Sequence, residues 1–357
     1  MIKNSIATKN NQDVELLEDR IKSGKMRPWK EKKLRSLELS DSYQRLELES
    51  KFLDVHRCGE ALAFKLLADG SKKLDSVYFC QKRLCSMCAW RRELKIFSQV
   101  SKVIDFVNPD GQYKHLFLTL TCKNVPAKDL PSQIDILIKA FDRLFKRTLL
   151  RSTVKGWFRA LEITHDVNRK ITKEMYYGCK EKHLKSRKDY YDSLGLKIGD
   201  HNPNFDMYHP HLHIILVVNK NYFTKNYVKQ EEWTSLWRES LGCDYKPVVH
   251  IETFKNRAGR GVSEAAKYTV KDNDYLVKSD PDLTDRTVIT LDTALHRRRL
   301  VAFGGILKSA HKQLNLEDLN NRDADLIHVD DEEASEEVDY VLECYKWNIG
   351  YSNYIRV

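Results

Sequence analysis

The stretch YHPHLHIILVV, from Tyr208 to Val218, constrains the fold more than any other part of the chain. Its aliphatic run has strand length, and it opens on histidines at alternate positions, His209, His211 and His213. Side chains alternate faces along a strand, so the three imidazoles share one face. Leu212, Ile214 and Leu216 take the other face, which needs a helix to pack against. Imidazole makes a poor core residue and a good metal ligand. A strand of this kind belongs in a sheet with packing on one side and chemistry on the other.

The rest of the chain supplies such a sheet. KHLFLTLTC (Lys114 to Cys122), GWFRALEITHD (Gly156 to Asp166) and PVVHIETF (Pro247 to Phe254) read as further strands. RRELKIFSQVSKVIDFV (Arg91 to Val107) reads as an amphipathic helix. A second helix opens at Pro131 and Ser132 and places Ile134, Leu137, Ile138, Phe141, Leu144 and Phe145 on one face. KQEEWTSLWRESLG is a helix closed by Gly242, and SEAAKYTVKDNDY is a helix capped by Ser263. DTALHRRRLVAFGGILKSAHKQL reads as helical on both sides of Gly304 and Gly305. Val167 to Met207 is a long hydrophilic connection with a short helix near Glu181 to Leu194. No internal repeat is visible.

The order of elements predicts an α+β fold: a mostly antiparallel central sheet flanked by helices, a small Cys-rich segment and a helical C-terminal region. Four units are expected. Residues 1–45 form a basic and polar N-terminal segment, and 46–110 hold the cysteine cluster and the helix after it. Residues 111–278 form the central domain with an insertion at 167–207, and 279–357 form the helical C-terminal region with an acidic tail.

The net charge of +10 hides an asymmetry. Residues 317–343 carry twelve acidic residues and one basic one, Arg322, so this segment is −11 and the remainder +21. A basic body beside an acidic tail points to a polyanionic partner. A solvated basic surface would look the same on charge alone. No apolar run is long enough for a membrane span, and the N-terminus has no apolar signal core, so a cytoplasmic setting is expected.

Without a signal peptide, the eight cysteines are not expected to form a disulfide framework. Cys58, Cys80, Cys85 and Cys88 cluster, and the Cys85–Cys88 spacing is that of a zinc knuckle. Four thiolates make a closed, structural site, with His56 as a spare ligand. Lys82, Arg83, Arg91, Arg92 and Trp90 surround it, a mixture that suits nucleic-acid contact. Unmetallated buried thiols are the plainer alternative.

Two further groups carry chemistry. Closely spaced imidazoles chelate a divalent cation, and a hard ion such as Mg²⁺ or Mn²⁺ also wants a carboxylate. Glu162, in mid-strand, can supply it if its strand pairs with the histidine strand. Glu264 and Tyr268 are four apart and share a helix face, with Lys271 on the same side. Tyr268 is one of 17 tyrosines, and a half-buried packing role would account for it equally well.

Taken together, these pieces resemble the rolling-circle replication initiators of small plasmids from Gram-positive bacteria, members of the HUH endonuclease superfamily. The matching segments occur in family order: CQKRLCSMCAWRR, HLFLTLTCKNV, RALEITHD, HPHLHIILVV, EAAKYTVKDNDY and LHRRRLVAFGGILK, followed by the acidic EDLNNRDADLIHVDDEE. The likeness runs from about Cys58 to Val341. It implies that His211 and His213 are metal ligands, with Glu162 as the third. It also implies that Tyr268 is the nucleophile, Glu264 the carboxylate used in termination, and Lys271 the lysine of a Tyr-x-x-Lys pattern.

The implied reaction is metal-assisted transesterification of single-stranded plasmid origin DNA, leaving a 5′-phosphotyrosine and a free 3′-OH. Flanking duplex, a host helicase and a host polymerase are the implied partners, with a homo-oligomer left open. A mobilisation relaxase or single-tyrosine transposase would share the chemistry. A non-catalytic zinc-containing DNA-binding regulator would leave the histidines, Glu162 and Tyr268 unexplained. Two features depart from the group: the connection 167–207 is long, and His209 stands where a polar residue such as Asn is common.

Overall fold

The computed structural model describes residues 14–21, 23–179, 186–225, 227–253, 271–321, 323–329 and 340–357. The elements that position the site are α1 (Trp29–Arg45), α2 (Glu49–Arg57), β1 (Ala61–Leu67), β2 (Lys72–Val77), α3 (Ser86–Val107), β3 (Tyr113–Thr121) and α4 (Leu130–Lys146). They continue with β4 (Val154–His165), β5 (Tyr208–Asn219), β6 (Val249–Thr253), β7 (Val301–Gly305), β8 (Tyr340–Asn348) and β9 (Asn353–Arg356). Two antiparallel sheets result, a five-stranded one of order β6-β3-β5-β4-β7 and a four-stranded one of order β2-β1-β8-β9. The α+β expectation holds. No described helix is long and apolar enough to cross a membrane.

The histidine strand is β5, at the centre of the larger sheet. Leu212, Ile214, Leu216 and Val218 pack in one core with Ile134, Leu137, Phe141 and Leu144 of α4. Each fully buried leucine or phenylalanine there contributes roughly 1.5–3 kcal/mol. Ile138 and Phe145 of the anticipated face are partly buried against the same core. On the other face, Ile215 and Val217 join Phe117, Phe158 and a cover formed by Val100, Val103 and Ile104 of α3 with Leu307 and Ala310 of the helix Ile306–Gln313. This apolar cover ends at the rung of Ile215 and Phe158. The next rungs along β5 carry His213 and then His211.

The strands read from periodicity all form. The segment before Gly304 differs from its reading: the helix Pro281–Leu295 stops early and Val301–Gly305 is the edge strand β7. A five-residue apolar run cannot be assigned to helix or strand by periodicity, and pairing with β4 decides it. Glycine is needed there because a Cβ at Gly304 would lie 2.1 Å from the Trp157 ring. Gly305, at φ +58°, turns the strand directly into the next helix.

The C-terminal region carries its expected helices, and it also contributes β8 and β9 to a sheet with β1 and β2. Glu343, counted above within the acidic tail, is a buried strand residue. It accepts from Lys72 at 2.9 Å, Arg356 at 3.2 Å and the Tyr345 hydroxyl at 2.9 Å. Within the connection 167–207, the helices Lys173–Tyr177 and Lys188–Ser193 share a small core of Ile171, Met175, Tyr176 and Tyr191. Arg169 on Asp280 and Arg187 on Asp166 tie this stretch to the rest of the chain.

Candidate metal centres and active site

Antiparallel pairing sets Glu162 of β4 directly opposite His211 of β5, and Ala160 opposite His213. Directly opposed residues share a sheet face, so the carboxylate and both imidazoles converge. His213 Nε2 lies 2.7 Å from Glu162 Oε2, and His211 Nε2 lies 3.5 Å from the same oxygen. All three side chains are buried. Both rings are aimed by their other nitrogen: His211 Nδ1 donates to the His209 carbonyl at 3.1 Å, and His213 Nδ1 is bonded to Thr119 Oγ1 at 3.3 Å. Phe117 stacks on His213 with centroids 5.4 Å apart. This outer support fixes ring orientation, as it does around ligating histidines generally. Candidate ligand atoms of the three residues lie within 4.8 Å of one another.

Burial pushes the Glu162 carboxyl up. Hydrogen bonds and positive charge from His211 and His213 outweigh this and hold it far below the usual carboxylate range. Its second oxygen meets Lys271 Nζ at 3.1 Å. His209 stacks on His211 but lies outside the convergent group. Burial, with His211 beside it, lowers its pKa to about 4, so it is neutral at physiological pH. Glu264 and Tyr268 lie outside the described residues.

Asp274 and His165 were not singled out from the sequence. The His165 ring stacks on Tyr208 at 4.3 Å and bridges the Asp274 carbonyl to Asp206 Oδ1, each at 2.9 Å. Asp274 Oδ2 is buried without a hydrogen-bond partner. Burial raises its pKa to about 7; Glu162 and Asp166 add to the rise, and Lys271 and His211 oppose it. Only the fold brings this turn to Glu162, and an aspartate in KDNDY otherwise reads as turn chemistry.

The four cysteines also converge. Cys58 Sγ is 3.5 Å from Cys88 Sγ and 3.6 Å from Cys85 Sγ, and Cys80 Sγ is 3.7 Å from Cys88 Sγ. None is in a disulfide. Metal–sulfur bonds of about 2.3 Å in a tetrahedron put neighbouring sulfurs about 3.8 Å apart, so the quartet fits a tetrahedral metal ion. His56 is not a fourth or fifth member; its carbonyl and that of Cys58 accept from the buried Lys33 ammonium at 2.6 and 2.8 Å. Burial pushes the Lys33 pKa down while the thiols pull it back up.

The basic residues around the quartet do something other than present a nucleic-acid surface. Arg91 is buried beside Trp29 and Trp90 and donates to the carbonyls of Leu326 and Ile327. Arg92 holds Gln81 and the Asn321 carbonyl, Arg83 the Arg298 carbonyl, and Lys82 the Asp54 carboxylate. The first part of the acidic segment is thus fastened along α3. Tyr275 joins the two centres. Its buried hydroxyl donates to the carbonyl of Leu84, next to Cys85, while Lys271 four residues earlier meets Glu162.

A family model described as "Replication protein" (Rep_1) matches residues 71–355. A "Protein rep" of Bacillus amyloliquefaciens is 36% identical over 374 residues, covering 97% of this chain and 98% of its own length. A "Protein rep" of Streptococcus pneumoniae serotype 2 is 35% identical, covering 96% of each chain. One of Lactiplantibacillus plantarum is 33% identical, covering 95% and 98%. No solved structure matches.

Two outcomes follow from these centres. Cys88→Ser is expected to release about one bound metal ion per chain, read by elemental analysis of the purified protein. Unchanged metal content would remove the quartet as a site. An acid whose pKa is raised by folding takes up a proton on folding, so stability falls as pH climbs from its unfolded value of 3.8 to about 7. Asp274→Asn removes that fall. Its gain in unfolding free energy over the parent, read from denaturant melts, should grow between pH 5 and 7, by at most about 1.4 kcal/mol per pH unit, and then level off. A gain independent of pH would show that the Asp274 pKa is not raised.

Proposed function

The chain belongs to the Rep_1 family of replication proteins, the rolling-circle plasmid Rep proteins of the HUH superfamily, and we propose that it initiates replication by nicking single-stranded origin DNA with Tyr268. The observation that carries this reading is the contact of Lys271 with Glu162 at 3.1 Å, on the face where His211 and His213 converge. Tyr268 stands three residues before Lys271 in the sequence, which supports its assignment to the same site.

In this reading His211, His213 and Glu162 hold a divalent cation, Mg²⁺ or Mn²⁺. Bound there, the ion supplies neutralising charge to the scissile phosphate. His211 and His213, each held by a second contact, would orient that ion. Lys271 adds a second positive charge beside it, which favours the phenolate of Tyr268 and the developing charge on phosphorus. The phenol oxygen attacks phosphorus and its proton leaves. The P–O3′ bond breaks, the 3′ oxygen takes up a proton, and the 5′ phosphate remains on Tyr268. The free 3′-OH is then a primer for a host polymerase behind a host helicase. When the regenerated site is cut, Glu264 would accept a proton from a water whose oxygen attacks phosphorus as the P–O3′ bond breaks, and the freed 3′-OH would attack the phosphotyrosine, closing the circle and releasing the Tyr268 phenol, so a second tyrosine is not required.

Cys58, Cys80, Cys85 and Cys88 hold a structural Zn²⁺, consistent with an all-thiolate set and its buried surroundings. Residues 111–278 form the nicking domain with its insertion at 167–207; 46–110 hold the zinc unit, 1–45 the N-terminal segment and 279–357 the C-terminal region. The basic body holds the duplex origin with strong salt dependence, in a cytoplasmic setting. Self-association at the origin fits the same scheme.

Incubation with end-labelled single-stranded origin DNA and Mn²⁺, followed by a denaturing gel, tests the mechanism. The parent should give a covalent protein–DNA band, and Tyr268→Phe should lose it while still retarding the DNA on a native gel. A band that persists would make another tyrosine the nucleophile. Glu264→Ala should form the first adduct at near-parental rate but release few closed circles in a replication assay; normal release would take Glu264 out of termination.

A further inference from the structure

We propose that a cavity at the β7 edge of the larger sheet is a subsite for a nucleotide of the single strand flanking the scissile phosphate, with its base on Phe303 and His311 and its phosphates on Lys308, Lys312 and Arg299. The proposal rests on the nicking reading above and gives a role to Arg299, Phe303 and Lys308 of the LHRRRLVAFGGILK segment and to His311 and Lys312 just beyond it.

The cavity measures about 630 Å³, within the size range of small-ligand sites. Its position follows from register. His213 is opposite Ala160, and Ala160 is opposite Val301, which lines the cavity. Directly opposed residues share a face, so the cavity opens on the same sheet face as the metal cluster. Val301 and His213 are two strand spacings apart, about 10 Å. Phe158 is opposite Phe303 one step beyond, which places that ring in the wall. A strand whose phosphate sits at the cluster therefore has its neighbouring nucleotides in reach of the cavity.

The lining suits a nucleotide. Phe303 and His311 form a tilted aromatic pair with centroids 4.7 Å apart. Burial lowers the His311 pKa, which leaves the ring neutral and able to stack. Stacking on aromatics tolerates any base, while cations beside them follow the backbone. Lys308 and Lys312 are exposed, one turn apart on the helix Ile306–Gln313, and neither has an ion pair among the described residues. Arg299 is paired with Asp318 at 2.6 Å, but both side chains are more than half exposed, so a phosphate can compete for the guanidinium. A duplex presents no free base face to the aromatic pair, and for that reason the occupant is a single strand.

The test uses the full chain in buffer without added Mg²⁺ or Mn²⁺, so that binding is read apart from cleavage. Fluorescence anisotropy is measured with a labelled oligo-dT single strand and with a labelled duplex, over a range of salt. Lys308→Glu with Lys312→Glu should weaken single-strand binding by about tenfold or more and flatten its log–log salt slope by about 1.4, the value for two lost phosphate contacts. Phe303→Leu keeps apolar packing and should weaken the single strand about fivefold or more. The control, Lys139→Glu with Lys146→Glu, makes the same charge change on α4, across the sheet, and should have a threefold effect or less.

Equal weakening by the control pair, equal loss of duplex and single strand by the pocket pair, or no loss at all would each overturn the subsite. The denaturing-gel assay separates this result from the nicking reading. Parental adduct formation with unchanged single-strand binding in the pocket pair sinks the subsite alone. Absence of adduct in the parent, with selective loss of single-strand binding in the pocket pair, sinks the nicking reading alone.

Discussion

The register between β4 and β5 is the constraint on which the rest of the structure depends. It places Glu162 against His211 and within 2.7 Å of His213, in a setting where an unpaired carboxylate would be costly. A slip of one residue would turn Glu162 toward α4 and bury it among leucines, while Leu161 faced the imidazoles. The apolar face of β4 prevents that slip, because Leu161 and Ile163 would both have to leave the core they share with α4. Apolar burial on one face therefore enforces polar convergence on the other.

The second dependence links the two centres. Residues 271–276 run between them, pinned by Lys32 on Asp272, Arg35 on Asn273, the Tyr275 hydroxyl on the Leu84 carbonyl and His165 on the Asp274 carbonyl. Leu84 precedes a cysteine of the quartet, and Lys271 begins at Glu162. The cysteine unit is in turn closed by chain ends: β8 and β9 complete its sheet, and Arg91 and Lys95 fasten the stretch near residues 325–327 to α3. The cysteine quartet and the cluster are thus joined by a short stretch of backbone with one noncovalent contact at each end, Tyr275 on the Leu84 carbonyl and Lys271 on Glu162.

Much of the candidate site was legible in residue order alone. Alternation placed His211 and His213 on one face, Cys-x-x-Cys spacing marked the quartet, and the α4 periodicity predicted the helix that covers β5. Three features were hidden, each for a physical reason. β7 is too short for its period to be read. Strands β1 and β8 are far apart in the chain, and no local pattern announces such a pairing. Arg91 looked like part of a nucleic-acid surface because composition does not distinguish a guanidinium facing solvent from a buried one bonded to backbone carbonyls.

The sequence by itself determined the chemistry available here: thiols at knuckle spacing, paired imidazoles and a mid-strand carboxylate. Those are properties of residue types at short spacing, which the backbone geometry of a strand or helix converts directly into a shared face. Only the tertiary structure decided which groups meet. Glu162 was one of many acids until β4 paired with β5. Asp274 was a turn residue until burial beside Glu162 raised its pKa to about 7. The cavity beyond β7 exists only because an edge strand and a following helix leave it open. Contacts between residues far apart in sequence depend on packing, and packing is a property of the whole chain.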